Sequence, residues 1–250
     1  MKSLNRRMKT RATLVVALMG LWIVLAGSAA LADGQQYLQR LPSRTADVTP
    51  TVICKHQTYA LCATASCFVY NGLAYCQCDV RFGKSISAPY NYPVLGPPGH
   101  AKQNICDLNA QGAGNGFMAS LYSLPPEILK GGNKAIYTCP SDSIGAYAQC
   151  DGGLCFDSTR GKTFPGFNQP LGQKQIICSC PITEAANAQN PLGYQFVGPY
   201  PCNKKVFEMC GQVTNELNGS TIPVGSPSGA GRLLTTELYG TFPQINECLP

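Results

Sequence analysis

Cys67-Phe-Val-Tyr-Asn71-Gly72-Leu-Ala-Tyr-Cys76-Gln-Cys78 is the stretch that decides how this chain folds. Asn71-Gly72 stands between two runs of aromatic and β-branched residues. Both turn residues tolerate the positive φ of a type I′ turn, whose twist matches that of the flanking strands. Counting outward predicts Tyr70 opposite Leu73, Val69 opposite Ala74, Phe68 opposite Tyr75, and Cys67 opposite Cys76. Cys76 and Cys78, two apart on a strand, share a face. Three sulfurs are therefore clustered at one hairpin.

The pattern occurs twice. Tyr59-Ala-Leu-Cys62-Ala-Thr-Ala-Ser-Cys67-Phe68 matches Tyr147-Ala-Gln-Cys150-Asp-Gly-Gly-Leu-Cys155-Phe156 at an offset of 88 residues. Ala74-Tyr-Cys76-Gln-Cys78 matches Ile176-Ile-Cys178-Ser-Cys180 at an offset of 102, which continues to Tyr92–Pro97 against Tyr194–Pro199. Gly112-Ala-Gly and Leu121-Tyr122 match Gly229-Ala-Gly and Leu238-Tyr239 at 117. The two glycine runs lack the Lys-Ser/Thr of a phosphate loop. They read as turns leading into strands at Phe117–Leu124 and Arg232–Phe242. The chain is thus expected to be mainly β, small and disulfide-rich, with two tandem related β-hairpin modules and little helix. The organisation is an export segment at 1–32, a flexible arm at 33–50, module 1 at 51–132 and module 2 at 133–250.

Five basic residues and no acidic one precede Asp33, followed by an apolar run from Ala12 and the small-x-small end Ala30-Leu31-Ala32. This is the pattern of a secretory signal cut after Ala32. Uncut, the 21 residues Ala12–Ala32 could anchor the chain in a membrane. Without residues 1–32 the net charge is +1, with 14 basic against 13 acidic residues, so nothing marks a nucleic-acid partner. All 14 cysteines lie beyond residue 32. An even, dense set in an exported chain implies disulfides and a periplasmic or extracellular location.

Each module takes six cysteines: Cys54, Cys62, Cys67, Cys76, Cys78 and Cys106, then Cys139, Cys150, Cys155, Cys178, Cys180 and Cys210. Cys202 and Cys248 have no counterpart in module 1 and are expected to bridge each other. The spacing C-x7-C-x4-C-x8-C-x-C-x27-C resembles an EGF-like framework, above all in its C-x-C after a hairpin. That resemblance implies first–third, second–fourth and fifth–sixth pairing: Cys54–Cys67, Cys62–Cys76 and Cys78–Cys106. Thr51-Val-Ile before Cys54 lacks the acidic residues of calcium-binding EGF modules, so no calcium or other cofactor is inferred. A competing connectivity joins Cys67 to Cys76, which would face each other as a non-hydrogen-bonded pair within disulfide range. Six cysteines allow 15 pairings, and the spacing alone does not choose among them.

Between its third and fourth cysteines module 2 has 22 residues where module 1 has 8. The enlarged tip carries Arg160, Lys162, Phe164 and Phe167, cations and aromatics suited to contact with a protein or glycan partner, or to self-assembly. The plainer reading is a long turn whose phenylalanines pack back on the module. The chain holds two histidines, His56 and His100, and neither lies in an H-E-x-x-H context; no G-x-S-x-G elbow occurs. The reading is therefore a non-enzymatic binding or structural protein. The alternative is a periplasmic redox or soft-metal protein using Cys76/Cys78 and Cys178/Cys180 as same-face thiolates. Asn218-Gly-Ser220 is an acceptor pattern for N-glycosylation.

Overall fold

The computed structural model describes residues 51–88, 91–92, 103–129, 135–140, 142–143, 145–184, 193–198, 200–211, 219–243, 245 and 247–250. The expected export segment, the arm, His100 and Asn218 lie outside these residues. The first copy contains β1 (Val52–Leu61), β2 (Ser66–Tyr70), β3 (Leu73–Ser87), the short pair β4 (Asn91–Tyr92) and β5 (Gln103–Asn104), α1 (Ile105–Gly112), β6 (Phe117–Ala119) and α2 (Pro126–Leu129). The second contains β7 (Ala135–Cys139), β8 (Ala146–Ala148), β9 (Leu154–Phe156), β10 (Gln175–Glu184) and β11 (Tyr194–Gly198). A 3₁₀ segment at Lys204–Gly211 follows, then β12 (Thr221–Pro223), β13 (Gly225–Pro227), α3 (Ala230–Tyr239) and β14 (Glu247–Cys248). The protein is mainly β, as its turn-rich sequence requires.

The opening hairpin forms in the expected register, with Tyr70–Leu73, Val69–Ala74, Phe68–Tyr75 and Cys67–Cys76 as partners. Asn71 and Gly72 have φ of 50° and 76°, the two positive values that a type I′ turn demands. The other edge of β3 pairs antiparallel with β10, and Cys76 lies directly opposite Cys178. These two cysteines are each other's counterparts in the duplication. A pseudo-two-fold axis therefore passes between them, as in an isologous dimer. Ala74, Cys76, Cys78, Ile176, Cys178 and Cys180 all face one side of this ladder, and none has any exposure to solvent.

The copies also trade strands. β6 of the first copy pairs with β9 of the second, setting Met118 opposite Cys155. β12 of the second pairs with β2 of the first, setting Ile222 opposite Cys67. Each exchanged strand then returns to its own copy through a parallel bridge, Ala60–Ser120 in one and Ala148–Val224 in the other. These matched pairs set the true correspondence late in the repeat. Phe117–Ala119 answers Thr221–Pro223 at an offset of 104, not the 117 that the glycine runs suggest.

The strand expected at Arg232–Phe242 is instead mostly α3. Gly231, Leu234, Thr235 and Leu238 are its buried positions, a helical spacing, and Leu234 and Leu238 pack against Ile86 of β3. Gly240, in the left-handed region at φ 79°, ends it. α1 is tied in by Asn109, whose side chain donates to Gln57 Oε1 (2.5 Å) and Thr58 O (2.7 Å) and accepts from the Ala119 amide (2.7 Å).

All 14 cysteines are bridged, and no free thiol remains. The pairs are Cys54–Cys106, Cys62–Cys78 and Cys67–Cys76, then Cys139–Cys210, Cys150–Cys180 and Cys155–Cys178. Both copies are nested first–sixth, second–fifth, third–fourth, which replaces the pairing implied by the EGF-like spacing. The cause is geometric. The hairpin sets Cys67 against Cys76 at a Cα separation of 4.0 Å, leaving Cys78, on the same face, to meet Cys62. Cys202–Cys248 forms as expected and ties the C-terminal segment down.

Mass mapping of the oxidised protein after partial reduction is expected to return the nested pairs in both copies. Peptides linking Cys54 to Cys67 or Cys78 to Cys106 would contradict the structure.

Candidate functional site

The chemistry-bearing residues named from the sequence fall in three places. The four inner bridges stack across the pseudo-dyad. Cys62, Cys78 and Cys178 form one sulfur cluster and Cys67, Cys76 and Cys150 the other, each with its sulfurs within 4.8 Å. Cys76 Sγ and Cys150 Sγ are 3.3 Å apart. Every one of these sulfurs is in a disulfide, so here the clusters serve as a dense, buried packing layer. Holding a soft metal would require the bridges to open. His56 sits exposed on the bulge of β1 between Cys54 and Gln57, with φ of 37°. Among the described residues no acid or nucleophile bonds to it.

The enlarged loop of the second copy lies against the hairpin of the first. Phe164 packs on Tyr75 with ring centroids 5.4 Å apart, and Phe167 follows at 6.4 Å from Phe164. Gly166, at φ 88°, rests so close to the Phe68 ring that a Cβ there would come within 2.0 Å of it. Leu171 is buried, and its amide donates to Lys162 O at 3.0 Å. Arg160 pairs with Asp157 at 2.8 Å, while Lys162 stays exposed. The two phenylalanines are half-buried, and Phe164 packs on the first copy rather than back on its own module. The loop clasps one copy to the other.

On the pseudo-dyad, between the copies, the structure opens an apolar cleft. Its walls come from equivalent positions of the two halves: Cys62 with Cys150, Ala63 with Asp151, and Tyr122 with Ser226. Phe196 of β11 and Leu234 of α3 help to close it. The chain matches no family model, no curated protein and no solved structure. The cleft must therefore be read from its own chemistry.

Its polar groups are mostly engaged. Asp151 accepts from Ser87 Oγ at 2.6 Å and from the Ala88 amide at 3.1 Å, fastening the end of β3. Gln195 Oε1 accepts from the Gly229 amide at 2.8 Å, at the start of α3. The Tyr122 hydroxyl bonds to Thr235 Oγ1 at 2.8 Å. Gln149 Oε1 differs: it has no hydrogen-bond partner, and it is buried so fully that it presents almost no surface to the cleft. The repeat alignment held the signal for this residue, since Gln149 stands where the first copy has Leu61. The convergence of Ser120, β13 and α3 on the cleft that Gln149 also lines was beyond sequence reasoning, because it depends on the strand exchange.

Burial pushes the Tyr122 phenol up from 10.0 to about 12, and that of Tyr194 is also raised. Between those two values the native state holds a proton that the unfolded chain has released. Stability is therefore expected to be level below about pH 10 and to fall as pH rises from 10 to 12. Denaturation midpoints across this range check it, and a midpoint that rises above pH 10 would contradict the burial of Tyr122.

Proposed function

We propose that this is an exported, non-enzymatic binding protein that holds its ligand in the cleft between its two copies. The observation that carries the reading is a largely apolar cleft on the pseudo-dyad, walled by both halves. Small-ligand sites have this make-up, apolar walls with a few placed polar groups, and they favour junctions between structural units. Seven disulfides fit an oxidising location outside the cytosol. No described helix is long and apolar enough to cross a membrane.

The enlarged loop competes for the same role, as a contact for a protein or glycan partner or for a second copy. Lys162, which is exposed, is what it offers beside its packed phenylalanines.

Two substitutions separate the sites. Ala63→Phe fills the cleft and is expected to weaken binding of toluene, followed by ligand-observed NMR, at least tenfold. Lys162→Glu on the loop is expected to leave that binding unchanged. Toluene binding that survives Ala63→Phe, or none in the wild type, would place the site elsewhere.

A further inference from the structure

Two bridges of different copies touch at the pseudo-dyad. Cys76 Sγ, of the Cys67–Cys76 bridge in the first copy, lies 3.3 Å from Cys150 Sγ, of the Cys150–Cys180 bridge in the second. Cys67 belongs to the same cluster, its sulfur within 4.8 Å of both. Bonded sulfurs stand about 2 Å apart, so a small shift separates this contact from a bridge between the copies. The ladder enforces the approach. Cys76 lies opposite Cys178, and the sulfurs of both copies fill one buried face.

We propose that the Cys76–Cys150 contact is a thiol–disulfide exchange site, at which a dithiol reductant converts a bridge within one copy into a bridge between the two. In the oxidised protein every cysteine is paired, so the site is silent until a thiol is supplied. The dithiol opens Cys150–Cys180 and leaves as its own disulfide, giving two protein thiols. The Cys150 thiolate then attacks Cys76 Sγ. The Cys76–Cys150 bond forms as Cys67–Cys76 breaks, and the departing Cys67 thiolate takes up the proton that Cys150 released. The two electrons from the dithiol end as thiols at Cys67 and Cys180. Such exchange needs a thiolate within reach of a bridged sulfur, and the contact supplies that reach.

The product changes how the halves are joined. The new bridge spans 74 residues, against 9 for Cys67–Cys76 and 30 for Cys150–Cys180. A longer closed loop restricts the unfolded chain more. Reduction of one bridge is therefore answered by a covalent link across the junction that packing alone held before.

A variant that leaves Cys150 unpaired tests the exchange step without a reductant. Tryptic peptide 56–81 contains both Cys62–Cys78 and Cys67–Cys76, so it stays unlinked in the native pattern. Peptide 135–160 carries Cys150. In Cys180→Ala, held at pH 8 and alkylated in acidic denaturant, peptide 56–81 is expected to become linked to 135–160, with label on Cys67 in proportion to the linked fraction. If that variant does not fold, Cys67→Ala frees Cys76, whose attack on Cys150 makes the same link and leaves the label on Cys180. Label confined to the thiol that the substitution freed, or spread to further cysteines, would overturn the proposal. The wild type, titrated with dithiothreitol until Cys150–Cys180 opens, is expected to give the same linked peptides. Opening of that bridge with Cys67–Cys76 intact would overturn the proposal equally.

Discussion

The ladder between β3 and β10, with Cys76 opposite Cys178, is the contact on which the rest of the structure depends. Once a duplicated strand pairs antiparallel with its own copy through equivalent residues, every other feature of one half has a mate across the axis. β6 and β12 complete the other copy's outer strands, so neither half has its full set of ladder partners alone. Buried backbone groups have to be paired, and the exchange meets that requirement. The inner face of the ladder is filled largely by sulfur. Four bridges occupy the space that branched aliphatic side chains fill in an ordinary core, and each adds about 2–4 kcal/mol by restricting the unfolded chain.

That arrangement creates the cleft and also makes it asymmetric. Pseudo-symmetry brings Cys62 and Cys150, and Tyr122 and Ser226, to one place. Divergence then gives the two sides different chemistry. Ala63 faces the space as a methyl group, whereas its counterpart Asp151 is turned to structural use, holding Ser87 and Ala88. Leu61 fills a core, whereas Gln149 buries an unpaired acceptor. The enlarged loop fits the same pattern. Its extra residues close over Phe68 and Tyr75 of the other copy, strengthening the junction that the cleft occupies.

Local chemistry was legible in the residues. Asn71-Gly72 specifies its turn so tightly that all four partners in the hairpin follow, and Cys202 and Cys248 are left as a pair once the copies are aligned. The nested connectivity was not legible, because spacing reports distance along the chain while bridging depends on which face each sulfur occupies. Cys62 reaches Cys78 only because the hairpin has already joined Cys67 to Cys76. The identities between Gly112–Tyr122 and Gly229–Tyr239 suggest one structure for both segments, yet the second is helical, with Leu234 and Leu238 at a helical spacing. The cleft lay furthest from view. Its walls come from segments over 150 residues apart in sequence, joined by an exchange of strands that no local pattern encodes.

All seven bridges lie within one copy or the other, so the halves are held together by strand pairing and packing alone. The most direct test of the interlocked architecture is to cut the chain once, at a protease site placed between Lys130 and Lys134, without reduction. The halves should stay together as one species of unchanged mass in native buffer and separate in non-reducing denaturant. Separation in native buffer would contradict the strand exchange, and halves that stay covalently joined in denaturant would contradict the disulfide pattern.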